Sequence, residues 1–428
     1  MTRQARSRRW LAAGGSAVVA CTVLSACGGG DSGAIDLNYY GDASQLGMAE
    51  IMQRCSEESD GRYRIIGNLL PSDADGQRDQ LVRRLAAGDT GIDVVGPDVT
   101  WTAEFAEAGW LEPIEGEDAE RATEGLLQPP IDTATWNDTL YAIPKSTNVQ
   151  LLWYRTDLVD EPPTTWEEMF EMSLDLKEQG EPYVIGFTGA QYEGYVVGFN
   201  TVLASFGGEI VNEDSTEVEI DDKTVQALEL LRELGTNGTA SRSLSNSQEP
   251  EVFAQMQTGE AAFILNWPYV SSAMAAAAET DEQSAEVLDN LAATSIPQTT
   301  EDQPARVTLG GRNIGVSSTS EHKAEAFEAA LCMASPESQV TQAIEAGDVP
   351  VTEALFERPE IREAFPQYEI ILDSLQTASN RPKSPVYQNI STTISNVISP
   401  PSQIEPEETA ERLRSEIQDA LDGKGILP

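Results

Sequence analysis

Asp98 closes the run Ile92-Asp93-Val94-Val95-Gly96-Pro97-Asp98. The apolar part of such a run reads as a strand buried on both faces. A carboxylate just past the carboxyl end of a parallel strand stands where open α/β sheets place their ligands. There it could accept two hydroxyl hydrogen bonds, each charge-assisted and therefore strong; it could equally cap the helix that follows. A second candidate is Asn266-Trp267-Pro268-Tyr269, where the strand Phe263–Leu265 runs into a loop. Most tryptophans pack in a core, but one ahead of a proline at a strand-to-loop junction is well placed to line a cleft. Flat rings and carboxylates together suit a pyranose, whose C–H faces stack on indole or phenol and whose hydroxyls need partners. A hydroxyl buried without one costs roughly 1–3 kcal/mol. Tyr192-Glu193 could line such a cleft or cap a helix.

Other chemistries find less support. The only histidine, His322, lies in Ser320-Glu321-His322-Lys323, which reads as the start of a surface helix. Its solitude argues against a histidine-based zinc site and a Ser–His–Asp triad. No P-loop is present, and no metal or cofactor is expected. The formal net charge of −44, with acids interspersed rather than blocked, reads as a solvated acidic surface that repels nucleic acid and anionic lipid head groups.

The amino terminus reads as an export signal. Arg3, Arg6, Arg8 and Arg9 precede an apolar stretch, Trp10 to Thr22, and Leu24-Ser25-Ala26-Cys27 closes it. The stretch is too short to span a bilayer, and its flanks are those of a removable signal. The order resembles a bacterial lipoprotein signal, with residues 1–26 removed and Cys27 taking the lipid; Arg8-Arg9 also fits a twin-arginine signal. Residues 27–35, rich in glycine, then read as a flexible tether. With Cys21 in the signal and Cys27 on the lipid, Cys55 and Cys332 remain, and in an exported chain that suggests one disulfide.

The elements that must position these residues alternate. Strands are expected at Ile35–Tyr40, Tyr63–Leu70 and Ile92–Val95, with helices at Leu46–Cys55 and Gln77–Ala87 between them. This alternation argues for an α/β class with a parallel-rich sheet. An extended stretch, Leu140–Tyr154, precedes a mostly helical segment that opens with the capping box Thr165-Trp166-Glu167-Glu168 and turns Met169, Phe170 and Leu174 to one face. Helices are expected at Tyr195–Phe206, Val225–Leu234, Ala324–Met333 and Glu405–Leu421, and a strand at Val307–Val316. A chain of 428 residues exceeds what one core usually fills, so two lobes are expected.

Several blocks resemble extracellular solute-binding proteins of the maltose/trehalose type. They are the Asp98 run, Tyr141-Ala142-Ile143-Pro144 with Leu151-Leu152-Trp153-Tyr154-Arg155, Tyr192-Glu193-Gly194, Asn266-Trp267-Pro268-Tyr269, Leu309-Gly310-Gly311 and Arg381-Pro382. Within that family the chain is most similar to trehalose-binding lipoproteins of actinobacterial ABC importers. The resemblance implies a two-lobed periplasmic-binding-protein-like fold with a hinge and an inter-lobe cleft. Lobe 1 would take 36–145 with 313–360, and lobe 2 would take 146–312 with 361–428. The implied ligand contacts are Asp98, Asn148, Trp267, Tyr269, Gly311, Arg312, Arg381, Glu193 and Arg78, with Asp42, Ser44 or Gln45 standing where relatives carry a glutamate. Many relatives have aspartate at the position of Asn148, and often tryptophan at that of Arg312. The implied protein is a monomeric, lipid-anchored binding protein rather than an enzyme. It would hand a disaccharide, trehalose before maltose or maltooligosaccharides, to permease subunits. An exported glycoside hydrolase is the rival class, because it too needs aromatics and paired carboxylates.

Overall fold

The structure, a computed structural model, describes residues 33–42, 45–71, 73–300 and 303–424. The expected signal, Cys27 and Ser44 lie outside the described residues.

The chain folds into two lobes, each built on a mixed sheet with helices packed against it. The first sheet runs in the order Tyr63–Asn68, Ile35–Tyr40, Val94–Val95, Leu309–Val316, Ile143–Val149. Its first three strands are parallel, as the alternation of strand and helix requires. Leu309–Val316 is antiparallel to both of its neighbours, so the sheet is mixed. Leu37, Tyr39, Val94 and Val95 are fully buried.

The second sheet has the order Leu291–Thr294, Leu151–Arg155, Ala261–Asn266, Val184–Gly186. Every residue of Ala261–Asn266 is buried, as in a central strand covered on both faces. The expected extended stretch 140–154 divides into Ile143–Val149 and Leu151–Arg155, with only Gln150 between them. One strand belongs to each sheet, so the chain crosses between lobes at that residue.

The expected lobe boundaries differ from this arrangement. Breaks at 145/146 and 312/313 would cut through Ile143–Val149 and Leu309–Val316, both of which lie wholly in the first sheet. Val349, Leu355 and Phe356 pack with the larger core around Leu151–Leu265, although 313–360 was expected in lobe 1. Sequence distance does not reveal which core a crossing segment joins.

Local signals fare better. Thr165 caps the helix Trp166–Gln179, its hydroxyl accepting the Glu168 N–H at 3.2 Å, and Gly180 ends it in the left-handed region at φ 81°. Met169 and Phe170 are buried there, but Leu174 is exposed, and Ser173 and Leu176 complete the inward face.

Cys55, on the helix Met48–Glu58, is bonded to Cys332, on Lys323–Met333. The disulfide ties two helices of the first lobe across a sequence separation of 277 residues, and its surroundings include Met48, Ile51 and Ala329. A link that closes so long a loop restricts the unfolded chain strongly. The paired substitution Cys55→Ser with Cys332→Ser is expected to cost on the order of 2–4 kcal/mol of stability, read as an earlier midpoint in urea unfolding. Thiol titration of the denatured, unreduced wild type should find neither sulfur free.

Candidate functional site

The lobes enclose a cleft of about 480 Å³. Its wall brings together Gln45, Asp98, Asn148, Glu193, Trp267, Tyr269, Gly311, Arg312 and Arg381, all expected from the sequence. Several come from the ends of elements. Asp98 follows Val94–Val95, Asn148 lies on Ile143–Val149, and Arg312 sits opposite Ser146 on Leu309–Val316. Glu193 opens the helix Glu193–Ser205, and Trp267 sits between Ala261–Asn266 and the helix Tyr269–Ala278.

The double glycine has a steric reason. A Cβ at Gly310 would meet the Trp267 ring at 2.8 Å, so the edge of the indole lies against bare backbone. Gly311 has φ 139°, and a side chain there would strike the Ser146 carbonyl. Only glycine lets the strand pass so close to both.

Asp98 does not cap the helix Thr102–Glu107, whose N-cap is Trp101. Its Oδ1 accepts the Thr100 N–H at 3.1 Å and the Thr100 hydroxyl at 2.9 Å, and it lies 3.6 Å from Arg381 Nη2. Arg381 is the charged centre of the cleft. Its guanidinium pairs with Glu193, donates to the Leu309 carbonyl at 3.3 Å and is almost wholly buried. Glu193 also accepts from Tyr387 Oη at 2.6 Å and from the Ser391 hydroxyl. Burial opposes the arginine's charge, but the facing Tyr387, Glu193 and Asp98 outweigh it and push the guanidinium further above its usual range. Since Asp98 belongs to the first lobe and Glu193 to the second, Arg381 spans them. Gln388 does likewise, donating to Asp75 Oδ1 at 3.0 Å.

Arg78 and Asp42 do not line the cleft. Arg78 is buried against the helix Thr102–Glu107, its guanidinium forked onto Glu104 at 2.8 and 2.6 Å, so an internal partner takes the charge expected to meet ligand. Asp42 lies beneath the cleft, bound by the Tyr39 hydroxyl and by Lys145 Nζ at 2.5 Å. Burial alone would raise its pKa, but Lys145 and Arg312 bring it from 3.8 down to about 2.

The sequence reading missed Asp73, Ser146, Glu249, Phe253 and Asp348 on the cleft wall. Glu249 accepts from the Tyr192 hydroxyl, and its carbonyl accepts from Tyr269 Oη at 3.1 Å. For Asp348 a signal existed: in Ala346-Gly347-Asp348-Val349-Pro350 a helix-stopping glycine precedes an acid in a loop.

Residues 68–340 match the family model of bacterial extracellular solute-binding proteins. The chain belongs to that family. Among curated relatives, it is 25% identical over 384 residues to a probable ABC transporter-binding protein of Deinococcus radiodurans, covering 86% of this chain and 88% of that one. Among solved structures, it is similar to maltose-bound MalE3 of T. maritima, with a TM-score of 0.79 and 26% identity over 90% of this chain and 99% of that one. The GacH receptor of Streptomyces glaucescens shares the fold, with a TM-score of 0.76 at 18% identity, over 91% of this chain and 99% of that one. A two-lobed architecture is thus common to this solute-binding protein and its relatives.

Two outcomes follow from the buried charges. Glu193→Ala leaves the Arg381 guanidinium buried without its main partner and is expected to cost on the order of 3–5 kcal/mol in urea unfolding. Because the folded pKa of Asp42 lies below its unfolded value, the stability contributed by its pair with Lys145 is full above about pH 4 and is lost as pH falls toward 2. In acid titrations followed by circular dichroism, Asp42→Asn should therefore be destabilised at neutral pH, and its deficit should shrink as the acid limit is approached.

Proposed function

We propose that this solute-binding protein captures a disaccharide, α,α-trehalose, in the inter-lobe cleft. It would deliver the sugar to the permease subunits of an ABC importer, from the outer face of the membrane where a lipid on Cys27 holds it. One observation carries the reading. Gln45 Oε1, Asn148 Oδ1 and Arg381 Nε are buried polar atoms without a partner among the described residues, and all three residues line the cleft that also holds Trp267 and Tyr269. Folded proteins satisfy nearly all buried polar groups. Two acceptors and a donor beside flat rings call for a neutral molecule that both donates and accepts and has apolar faces, which is what a sugar offers.

The choice of trehalose rests on Arg312 and on the family resemblance. Arg312 is half-buried where relatives often carry a stacking tryptophan, and it donates to Gln77 Oε1 at 3.4 Å. A tryptophan there suits a ribbon-like α-1,4 chain. Trehalose folds about its 1,1 linkage and turns the hydroxyls of its second ring outward, where a guanidinium can donate to them. Maltose is the second reading, favoured by the likeness to maltose-bound MalE3.

Calorimetry of residues 27–428 should give tightest binding for trehalose, with maltose at least tenfold weaker. Equal affinities would move the assignment to maltose. The sugar should be recovered unchanged after prolonged incubation, because a hydrolase would release glucose. Asp98→Ala should weaken binding more than Tyr269→Ala, by about 1–2 kcal/mol, since a lost carboxylate strands hydroxyls whereas a lost phenol removes chiefly contact area. The reverse order would mean that stacking dominates.

A further inference from the structure

Asp348 has no role in the reading above, yet it stands on the cleft wall. It follows the helix Pro336–Ala346 through Gly347, which has φ 70° and ends that helix. A Cβ on Gly347 would meet the Tyr269 backbone at 2.7 Å, so the turn is wedged against the aromatic corner of the cleft. On the other side, the Thr147 N–H donates to the Val349 carbonyl at 3.0 Å, tying the turn to the crossover strand that bears Asn148. Asp348 is thus fixed between the two lobes' contributions to the wall.

Its hydrogen bonding leaves a defined remainder. Gln45 Nε2 donates to Asp348 Oδ2 at 2.9 Å. Only the amide nitrogen can face a carboxylate favourably, so this contact sets the orientation of the Gln45 side chain. It also leaves Gln45 Oε1 as a buried acceptor without a partner among the described residues. Asp348 Oδ1 accepts no hydrogen bond among the described residues. Two linked side chains therefore present two acceptor oxygens, beside the second N–H of the Gln45 amide. The charged groups facing Asp348 are Lys145, Asp42 and Arg312. Lys145 is already held by Asp42 at 2.5 Å and by Gln342 Oε1 at 3.1 Å.

We propose that Asp348 and Gln45 form a hydroxyl-reading subsite, in which Asp348 is a specificity-determining residue that accepts from one hydroxyl of a hydroxyl pair on the bound sugar. This rests on the sugar-binding reading of the cleft and adds a chemical class. The subsite takes a neutral ring with two neighbouring free hydroxyls, and it rejects a uronate or phosphorylated sugar there, because the oxygens would be anion against carboxylate. Burial pushes the Asp348 carboxyl above its ordinary pKa against the pull of Lys145, so folding makes its charge costly. A residue kept in that condition for binding should be replaceable without loss of stability.

The test is calorimetric titration of wild type, Asp348→Ala and Asp348→Asn. The probes are trehalose and its monodeoxy analogues, or maltose and its analogues if maltose binds the wild type more tightly. Thermal unfolding of each free protein at pH 7 runs alongside. For the wild type, one deoxy position should lose about tenfold or more in affinity; Asp348→Ala should lose as much on the parent sugar, yet be indifferent to that same position. The free Asp348→Asn protein should unfold no earlier than wild type. Unchanged binding of the parent sugar by Asp348→Ala overturns the inference and leaves the sugar-binding reading intact. So does an equal loss across all analogues, or a loss that tracks lowered stability in both variants. A wild type that binds neither disaccharide overturns the reading and the inference together.

Discussion

The cleft depends on one pairing, that of Ile143–Val149 with Leu309–Val316. In its register Gly310 faces Asn148, Gly311 faces Thr147 and Arg312 faces Ser146. A one-residue slip would turn every one of these side chains to the opposite face of the sheet. The same two strands carry the chain between lobes, since Val149 is followed after a single residue by a strand of the second sheet. Crossover and cleft wall are therefore the same piece of backbone. The bare glycine at 310 lets a ring from the second lobe approach it, so the close contact of Trp267 depends on the register.

Charge is handled in the cleft by burying it in connected sets rather than in isolated pairs. Asp98, Arg381, Glu193, Tyr387 and Ser391 form one set, and Lys145, Asp42, Tyr39 and Gln342 another, with Asp348 beside it. Each ion removed from water needs several compensating contacts, and a buried pair alone returns little net stability. What such sets supply is fixed geometry: a carboxylate already held by two or three donors presents its remaining lone pairs in one direction. In Asp98 and Glu193 that direction is shared between the lobes through Arg381, so the electrostatics that orient the wall also couple the lobes across it.

Much of this was legible along the chain. The strand and helix alternation of the first hundred residues, the Thr165 cap, the Cys55–Cys332 pairing and nine residues of the cleft wall follow from local patterns, chemical type and family resemblance. Arg78 and Asp42 show the limit of that kind of reading. Their residue types suit a ligand, but Glu104 and Lys145 consume them, and those partners lie 26 and 103 positions away. No periodicity links such positions, because a side chain's partner is set by which elements pack together.

The sequence by itself determined which stretches become strands, where helices start and stop, and which residues have the chemistry to hold a hydroxylated ring. These properties depend on neighbours within a few positions, through backbone propensity, capping and burial on one face. Only the tertiary structure decided that Leu309–Val316 runs antiparallel, that Val349–Phe356 joins the second core, and that Asp348 and Glu249 reach the cleft. It also decided which polar atoms remain without a partner there. The physical reason is that a hydrogen bond or ion pair is spent once: whether a polar group faces a ligand depends on what the rest of the fold has already used.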